Sequence, residues 1–154
     1  MRSLLIAVLV CLLGLQAEAG GRHCAFRVHL EANARDGEVF AQPLHSMRGT
    51  NVFIEKTAWL TEHDVRSFYP YRSADGSYGA LLQLDDHGQT VLDTLSVEHR
   101  GAFLYIFLNG RPLTELQIDR RVSDGKIYLA SGLTPADIQL MHKDWKLTGG
   151  RKKR

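Results

Sequence analysis

Residues 78–145 read YGALLQLDDHGQTVLDTLSVEHRGAFLYIFLNGRPLTELQIDRRVSDGKIYLASGLTPADIQLMHKDW, and this stretch decides the fold. Within it, residues 102–108 form an aromatic and aliphatic run that is too short for most helices and stops at Asn109-Gly110. An Asn-Gly pair supplies the positive φ angles of a type I′ turn, so we expect the strand to reverse there. Residues 114–119 then alternate in polarity, which indicates one buried and one solvated face. The stretch predicts the order strand, helix, strand, strand, strand, helix.

The first helix follows the Asp-Asp-His-Gly sequence at 85–88. Val91, Leu92 and Leu95 are spaced at intervals that place them on one stripe of a helix. Gly101 ends this pattern, so the helix is expected to stop before it.

The second helix has a clear start signal. Thr134 is a capping residue, Pro135 suits the first helical position, and Asp137 can close a capping box with Thr134. The apolar side chains expected on its buried face are those of Ile138, Met141 and Trp145.

The N-terminus has the pattern of a secretory signal peptide, residues 1–19. Arg2 gives the basic start, residues 4–15 the apolar core, and Ala17-Glu-Ala19 the small-residue cleavage site. The alternative is a membrane anchor, but a spanning helix needs about 20 apolar residues and this run is shorter. We therefore expect an exported protein, periplasmic or secreted, with one domain over residues 20–148.

The charge of the sequence is concentrated at its C-terminus. The formal net charge is +2, yet the four residues Arg151, Lys152, Lys153 and Arg154 are all basic, so the rest of the chain is net acidic. A folded nucleic-acid-binding surface would need clustered Lys and Arg on the domain itself, so we expect no nucleic-acid partner. Residues 149–154 are predicted to form a disordered basic tail, since like charges repel and bury nothing.

Cys24 is the single cysteine that would remain after signal-peptide cleavage. Packing, and not an internal disulfide, must then hold the fold. Cys24 could be a buried small residue in the first strand, a free thiol, or a residue paired between chains. The buried interpretation is favoured because cysteine is among the most frequently buried residues.

The first half of the chain has weaker signals. Three strands are expected, at residues 24–30, 38–44 and 51–56, because their side chains alternate in polarity or are rich in β-formers. Thr61 is expected to cap a short helical turn. Residues 69–76, which contain Pro70 and end in Asp-Gly, are expected to form a loop.

At this level of detail the stretch 78–145 resembles the periplasmic domain of SecD, the membrane subunit that assists the Sec protein-export machinery. The similar features are the strand with Leu82 and Leu84 that leads to Gly88, the segment RGAFLYIFLNGRPL that begins at residue 100, and SGLTPADI at 131–138. The resemblance implies an α+β fold of the ferredoxin-like kind, with two main helices packed on one face of an antiparallel sheet.

The resemblance has limits for function. SecD depends on several membrane spans for its proton-coupled work, whereas this sequence shows no second apolar segment after its N-terminus. We therefore expect a free-standing exported relative of the domain, and a function carried over from fold alone is an analogy.

No residue pattern predicts a catalytic group, a metal site or a cofactor. The sequence contains seven histidines but no HExxH or CxxC spacing and no Gly-x-Ser-x-Gly. The densest cluster is Asp85-Asp86-His87, where consecutive side chains point in different directions. A solvated loop with a capping aspartate is the favoured interpretation. The alternative is a small exported enzyme, a hydrolase that uses this corner.

The favoured function is a non-catalytic module that binds unfolded or extended polypeptide, or has a structural role. Phe68, Tyr69 and Tyr71 are the predicted contact residues, because amphipathic aromatic side chains in a proline-containing loop suit recognition. Equally open is the alternative that these rings cover one end of the core.

The basic tail gives the first testable prediction. Each basic residue near an anionic membrane contributes about 1 kcal/mol, and the attraction decays within a Debye length of about 8 Å. We expect residues 151–154 to give weak, salt-sensitive binding to anionic vesicles, measured by co-sedimentation at low and physiological salt. If the chain without these four residues sediments equally well at low salt, the tail has no membrane role and only favours solubility.

Overall fold

The computed structural model describes residues 23–149. The predicted signal peptide and residues 150–154 of the predicted tail lie outside the described residues. Among the described helices, none is long and apolar enough to cross a membrane.

Within this range the chain forms ten strands, three α-helices and two short 3-10 turns. The strands are β1 (Phe26–Ala32), β2 (Ala41–His45), β3 (Asn51–Glu55), β4 (Leu60–Thr61), β5 (Val65–Arg72), β6 (Tyr78–Leu84), β7 (Phe103–Leu108), β8 (Arg111–Gln117), β9 (Lys126–Leu133) and β10 (Lys146–Leu147). The helices are α1 (Gly37–Phe40), α2 (Asp86–Glu98) and α3 (Pro135–Asp144). The 3-10 turns are Ala34–Asp36 and Glu62–Asp64.

The strands are divided between two sheets. The first sheet has the order β2-β3-β1-β7-β8, and the short β4 pairs with β1 beside β3. The second sheet has the order β10-β5-β6-β9. All pairs are antiparallel except β10 with β5, which run parallel. Within the described residues, β8 pairs only with β7 and β9 only with β6, so each presents one free edge.

A single hydrophobic cluster takes side chains from both sheets and from both long helices. Alternate residues of β1, β6 and β7 point into it, and α2 contributes Leu92 and Leu95. Trp145, at the end of α3, makes edge-to-face contacts with Phe26 of the first sheet and Phe68 of the second. The cluster therefore joins the two sheets into one core.

The β7–β8 turn is tied to two other elements through Asn109 and Asp137. Asn109 Oδ1 accepts a hydrogen bond from the backbone N–H of Ala25, and its own N–H donates to Ala25 O. Asn109 Nδ2 donates to Asp137 Oδ1 at 2.9 Å, and Arg111 Nη2 donates to Asp137 Oδ2 at 2.5 Å. Asp137 also closes the capping box with Thr134 at the start of α3. The turn, β1 and α3 therefore meet at one buried carboxylate.

The predicted α+β class is confirmed, and the order of elements from β6 to α3 is the one predicted for residues 78–145. Asn109 and Gly110 have φ angles of 51° and 80°, as a type I′ turn requires. The division of the strands between two sheets was not apparent from the sequence.

Two expectations for the first half are corrected. The predicted strand at 38–44 begins only at Ala41, because residues up to Phe40 form the one-turn helix α1. The predicted loop at 69–76 is too long: residues 69–72 belong to β5, and only residues 73–76 lie in the loop before β6. β10 pairs with β5 only at Ser67 and Phe68. Pro70 lies further along β5, where β10 does not cover the strand edge, and a proline is tolerated on such a free edge.

The buried carboxylate gives the second prediction. Burial would raise the pKa of Asp137, but hydrogen bonds from Thr134, Asn109 and Arg111 outweigh it, so the pKa lies below its usual value of 3.8. A lowered folded-state pKa contributes stability above about pH 4 that is lost as the pH falls through the folded pKa. We expect Asp137→Ala to lower the free energy of unfolding at pH 7 by about 2–3 kcal/mol, since Thr134, Asn109 and Arg111 all lose their charged acceptor.

Urea denaturation between pH 2 and pH 7 measures this effect. Asp137→Asn keeps the volume of the side chain but not its charge, and it should remove part of the acid-side loss of stability. Asp119→Asn, at an exposed aspartate outside this hydrogen-bond network, is the control. A pH dependence in Asp137→Asn as steep as that of the unaltered chain would contradict the assignment.

Candidate functional site

The outer face of the second sheet carries a cluster of large side chains away from the helices. Tyr69 of β5 lies opposite Leu81 of β6, and Leu81 lies opposite Tyr128 of β9. Tyr69 and Tyr128 remain 56% and 59% exposed. Together with Tyr71 these residues form a surface that we call the aromatic face. Exposed aromatic side chains in one contiguous row are typical of contact surfaces.

Tyr71 lies flat across the sheet. An added Cβ at Gly79 would fall 2.3 Å from its ring, so the missing side chain is what allows the ring to cross β6. Its hydroxyl donates to Leu129 O at 2.5 Å, beside the irregularity in the β6–β9 pairing. The ring stacks on Tyr128 at a centroid distance of 5.4 Å. Burial and the Tyr128 hydroxyl raise the pKa of Tyr71.

The three predicted contact residues therefore have different surroundings. Phe68 is fully buried and packs edge-to-face on Trp145, so it is a core residue and its predicted place on a binding surface is corrected. The reason is the strand period of two, which turns Phe68 inward and its neighbours outward. Tyr69 is on the exposed surface, and Tyr71 supports Tyr128. A binding role for Tyr69 and Tyr71 stays a prediction.

A second surface lies where the two sheets approach each other. Arg111 Nη2 donates to Gly132 O at 3.1 Å, which holds β8 and β9 together at one end. Toward Gln117 and Lys126 an apolar groove of about 290 Å³ opens between the strands. We call this the edge groove. Its apolar lining includes Leu92, Leu104, Ile106, Leu116, Ile127 and Tyr128.

The edge groove adjoins the aromatic face. Tyr128, Lys126 and Arg120 line both the groove and a neighbouring shallow depression that also contains Leu81. Arg120 makes no ion pair with any residue in the described range, and Lys126 Nζ lies 3.6 Å from Asp124 Oδ2. The surface thus combines apolar lining with a basic border.

The Asp85-Asp86-His87 corner has the geometry of a helix start. Asp85 caps α2 by accepting from the N–H of Gly88 at 2.8 Å, which agrees with the capping interpretation. Asp86 forms an exposed ion pair with Arg66. His87 Nδ1 lies 2.7 Å from Asp64 Oδ1, and its side chain is 72% exposed. Asp86 is engaged by Arg66 and does not join Asp85 and His87 at one point, so the predicted three-residue corner is not assembled as a unit. The hydrolase alternative stays a prediction.

The sequence did not indicate that Asp64 belongs to this corner. Ligand atoms of Asp64, Asp85 and His87 lie within 4.8 Å of one another. Burial would raise the pKa of Asp64, but hydrogen bonds from Thr61 and His87 lower it overall. Asp64 closes a capping box with Thr61. Both carboxylates thus already satisfy backbone N–H groups, and capping accounts for their positions.

Cys24 is buried, and its backbone N–H donates to Asp144 Oδ2. Burial, with a smaller contribution from the charges of Asp144 and Asp137, raises the pKa of its thiol to about 12. The thiolate is the reactive form of cysteine, so this residue is a packing element at neutral pH.

The sequence analysis missed Leu81 and Tyr128. The alternation in β9, where Ile127 and Leu129 are buried and Tyr128 is exposed, could have shown an aromatic side chain on an outward position. That Tyr128 lies beside Tyr69 and Tyr71 follows only from the β5-β6-β9 order, which the sequence does not state.

Comparison with known proteins identifies a similar fold. No protein-family profile and no curated protein sequence matches this chain. Among solved structures it is similar to the one described as "Structure and function of a membrane component SecDF that enhances protein export", with a TM-score of 0.57, 14% identity and 82% of this chain covered. A second SecDF structure, in a "Super-membrane-facing form", gives a TM-score of 0.56 and 15% identity over the same share.

The likeness covers 65% of the chain in the first structure and 20% in the second. The chain thus spans less than two thirds of either SecDF chain. At this level of identity the likeness shows the fold, which is that of a SecD-like periplasmic domain, as the resemblance of residues 78–145 implied.

The packing of Tyr71 gives the third prediction. We expect Gly79→Ala to lower the free energy of unfolding by about 1–3 kcal/mol, because the added methyl group displaces a stacked ring. Tyr71→Phe keeps the ring but loses the hydrogen bond to Leu129 O, which should cost about 1 kcal/mol. Urea denaturation of each variant and of the unaltered chain measures both changes in the free energy of unfolding. If Gly79→Ala is as stable as the unaltered chain, Tyr71 does not hold this position in solution.

Proposed function

We propose that this protein is an exported, non-catalytic module that binds unfolded or extended polypeptide. The observation that carries the proposal is the aromatic face, where the exposed Tyr69 and Tyr128 flank the half-buried Leu81 on the outer side of the second sheet. Its ligand would be a chain segment with exposed apolar side chains.

The chemistry of the aromatic face suits a variable ligand. Tyrosine offers a large apolar ring and a hydroxyl that can donate or accept, and it loses little side-chain entropy on contact. Tyr71 holds the Tyr128 ring by stacking, so part of the surface is ordered before a ligand arrives. Preorganisation reduces the cost of binding.

The fold similarity supports the same proposal by analogy. SecDF is described as a membrane component that enhances protein export, and a domain of its fold type in a polypeptide-binding role is compatible with that description. A non-catalytic role is likewise compatible. The signal-peptide pattern of residues 1–19 supports an exported location, in the periplasm or outside the cell.

The fourth prediction tests the proposal directly. A reduced and alkylated, permanently unfolded reporter protein is titrated with the purified chain, and the Kd is measured by fluorescence anisotropy. Tyr69→Ser combined with Tyr128→Ser should weaken binding by about tenfold or more, because two exposed aromatic contacts are removed.

Phe40→Ser is the matched control, since Phe40 is also an exposed aromatic residue but lies in α1 beside the first sheet. Circular dichroism and thermal unfolding must show that the double variant keeps its fold. Unchanged affinity in a folded double variant would exclude the aromatic face. No binding of the reporter by the unaltered chain would exclude the proposed function.

A further inference from the structure

We infer that the edge groove is the specific part of the polypeptide site and that it takes an extended segment as an added strand on β9, with a carboxylate at its basic border. This inference rests on the proposed function and specifies where and how the ligand lies. The occupant of the edge groove is an extended peptide that has alternating apolar side chains and ends in acidic residues.

The free edge of β9 is the first observation. β9 pairs with β6 on one side only, so alternate backbone N–H and C=O groups on its other side have no strand partner in the described chain. A peptide that aligns with such an edge gains main-chain hydrogen bonds without any sequence requirement. β8 is less suitable, because Pro112 lacks an N–H and the β7–β8 pairing is irregular beside it.

The apolar lining of the groove is the second observation. Leu92 and Leu104 lie on the side of the core, and Leu116 and Ile127 belong to the two edge strands. A volume of about 290 Å³ is at the small end of ligand pockets and suits side chains, not a whole cofactor. Alternate side chains of an added strand point to one face, so they can enter the groove while the intervening ones face solvent.

The charge at the border is the third observation. Arg120 lines the groove without an ion-pair partner among the described residues, and Lys126 Nζ forms an ion pair with Asp124 Oδ2 at 3.6 Å. Asp119 is the one carboxylate that lines the groove itself. An arginine without a partner favours a ligand carboxylate, which it can bind with two parallel hydrogen bonds.

The position of the groove connects it to the aromatic face. Tyr128 lines the groove and is also part of the aromatic face, beside Leu81 and Tyr69. A segment held on β9 would leave its flanking residues beside this row. The aromatic face would then contact any apolar flank, and the edge groove would select the extended acidic segment.

The test uses four fluorescent nine-residue peptides and the purified full-length chain. The first alternates valine and threonine and ends in two glutamates, and the second ends in two lysines instead. The other two are copies of the first with N-methyl groups on one or the other alternate set of residues. N-methylation removes backbone donors from one edge of an extended peptide at a time.

Three results are expected from fluorescence anisotropy. The glutamate peptide binds more tightly than the lysine peptide. At least one N-methylated copy loses binding by tenfold or more. Arg120→Glu weakens binding of the glutamate peptide by about tenfold, because an attractive contact becomes a repulsive one, and it improves binding of the lysine peptide. Arg35→Glu, an exposed charge reversal in the first 3-10 turn, should change neither.

Other results would overturn the inference. If both N-methylated copies bind as tightly as the unmethylated glutamate peptide, strand addition is excluded. If the Kd of the glutamate peptide is unchanged in Arg120→Glu, the basic border is excluded. Sedimentation velocity on the chain alone adds a further outcome. A dimer that Arg120→Glu dissociates, with no peptide binding, would assign the groove to a second copy of this chain. If these tests fail but the double variant Tyr69→Ser, Tyr128→Ser still binds the unfolded reporter more weakly, the proposed function stands. Only the assignment of the peptide site to the edge groove is then excluded.

Discussion

The buried carboxylate of Asp137 is the interaction on which the rest of the structure depends. It accepts hydrogen bonds from Thr134 at the start of α3 and from Asn109 and Arg111 at the β7–β8 turn. Asn109 in turn holds the backbone beside β1 through Ala25. A turn, a helix start and a strand start, distant in sequence, are therefore fixed relative to one another by one group. Because all of these donors share the one carboxylate, losing Asp137 removes the acceptor from every one of them at once.

This arrangement determines which surfaces remain open. The two long helices and the inner faces of both sheets share one core, and no helix within residues 23–149 covers the outer face of the second sheet. The two sheets touch through Arg111 and Gly132 at one end of β8 and β9. In this part of the chain no strand pairing joins the two sheets, and the edges of β8 and β9 border the edge groove. Both proposed contact surfaces thus result from the packing of two sheets whose edges do not close.

Close backbone approach explains two details of these surfaces. Gly79 lets the Tyr71 ring cross β6, and an added Cβ at Gly88 would lie 2.9 Å from Asp64 Cβ. The start of α2 is therefore packed tightly against the second 3-10 turn. This contact brings His87 to Asp64 and produces a polar cluster that resembles a catalytic pair. Its two carboxylates, Asp64 and Asp85, cap helical turns, so capping and packing account for their positions.

The sequence by itself determined the local structure. The turn at Asn109-Gly110, the caps at Thr61, Asp85 and Thr134, and the helical stripes follow from short-range rules of backbone geometry and hydrogen bonding. Only the tertiary structure decided how the strands are divided between two sheets. That division is a matter of long-range pairing, which leaves no local signature in a strand that is apolar on one face. For the same reason the sequence suggested Tyr69 and Tyr71 as candidate contact residues but not Tyr128, and it placed the buried Phe68 on the surface. Whether an aromatic residue in a strand is core or contact surface depends on which face its neighbours cover, and those neighbours come from distant parts of the chain.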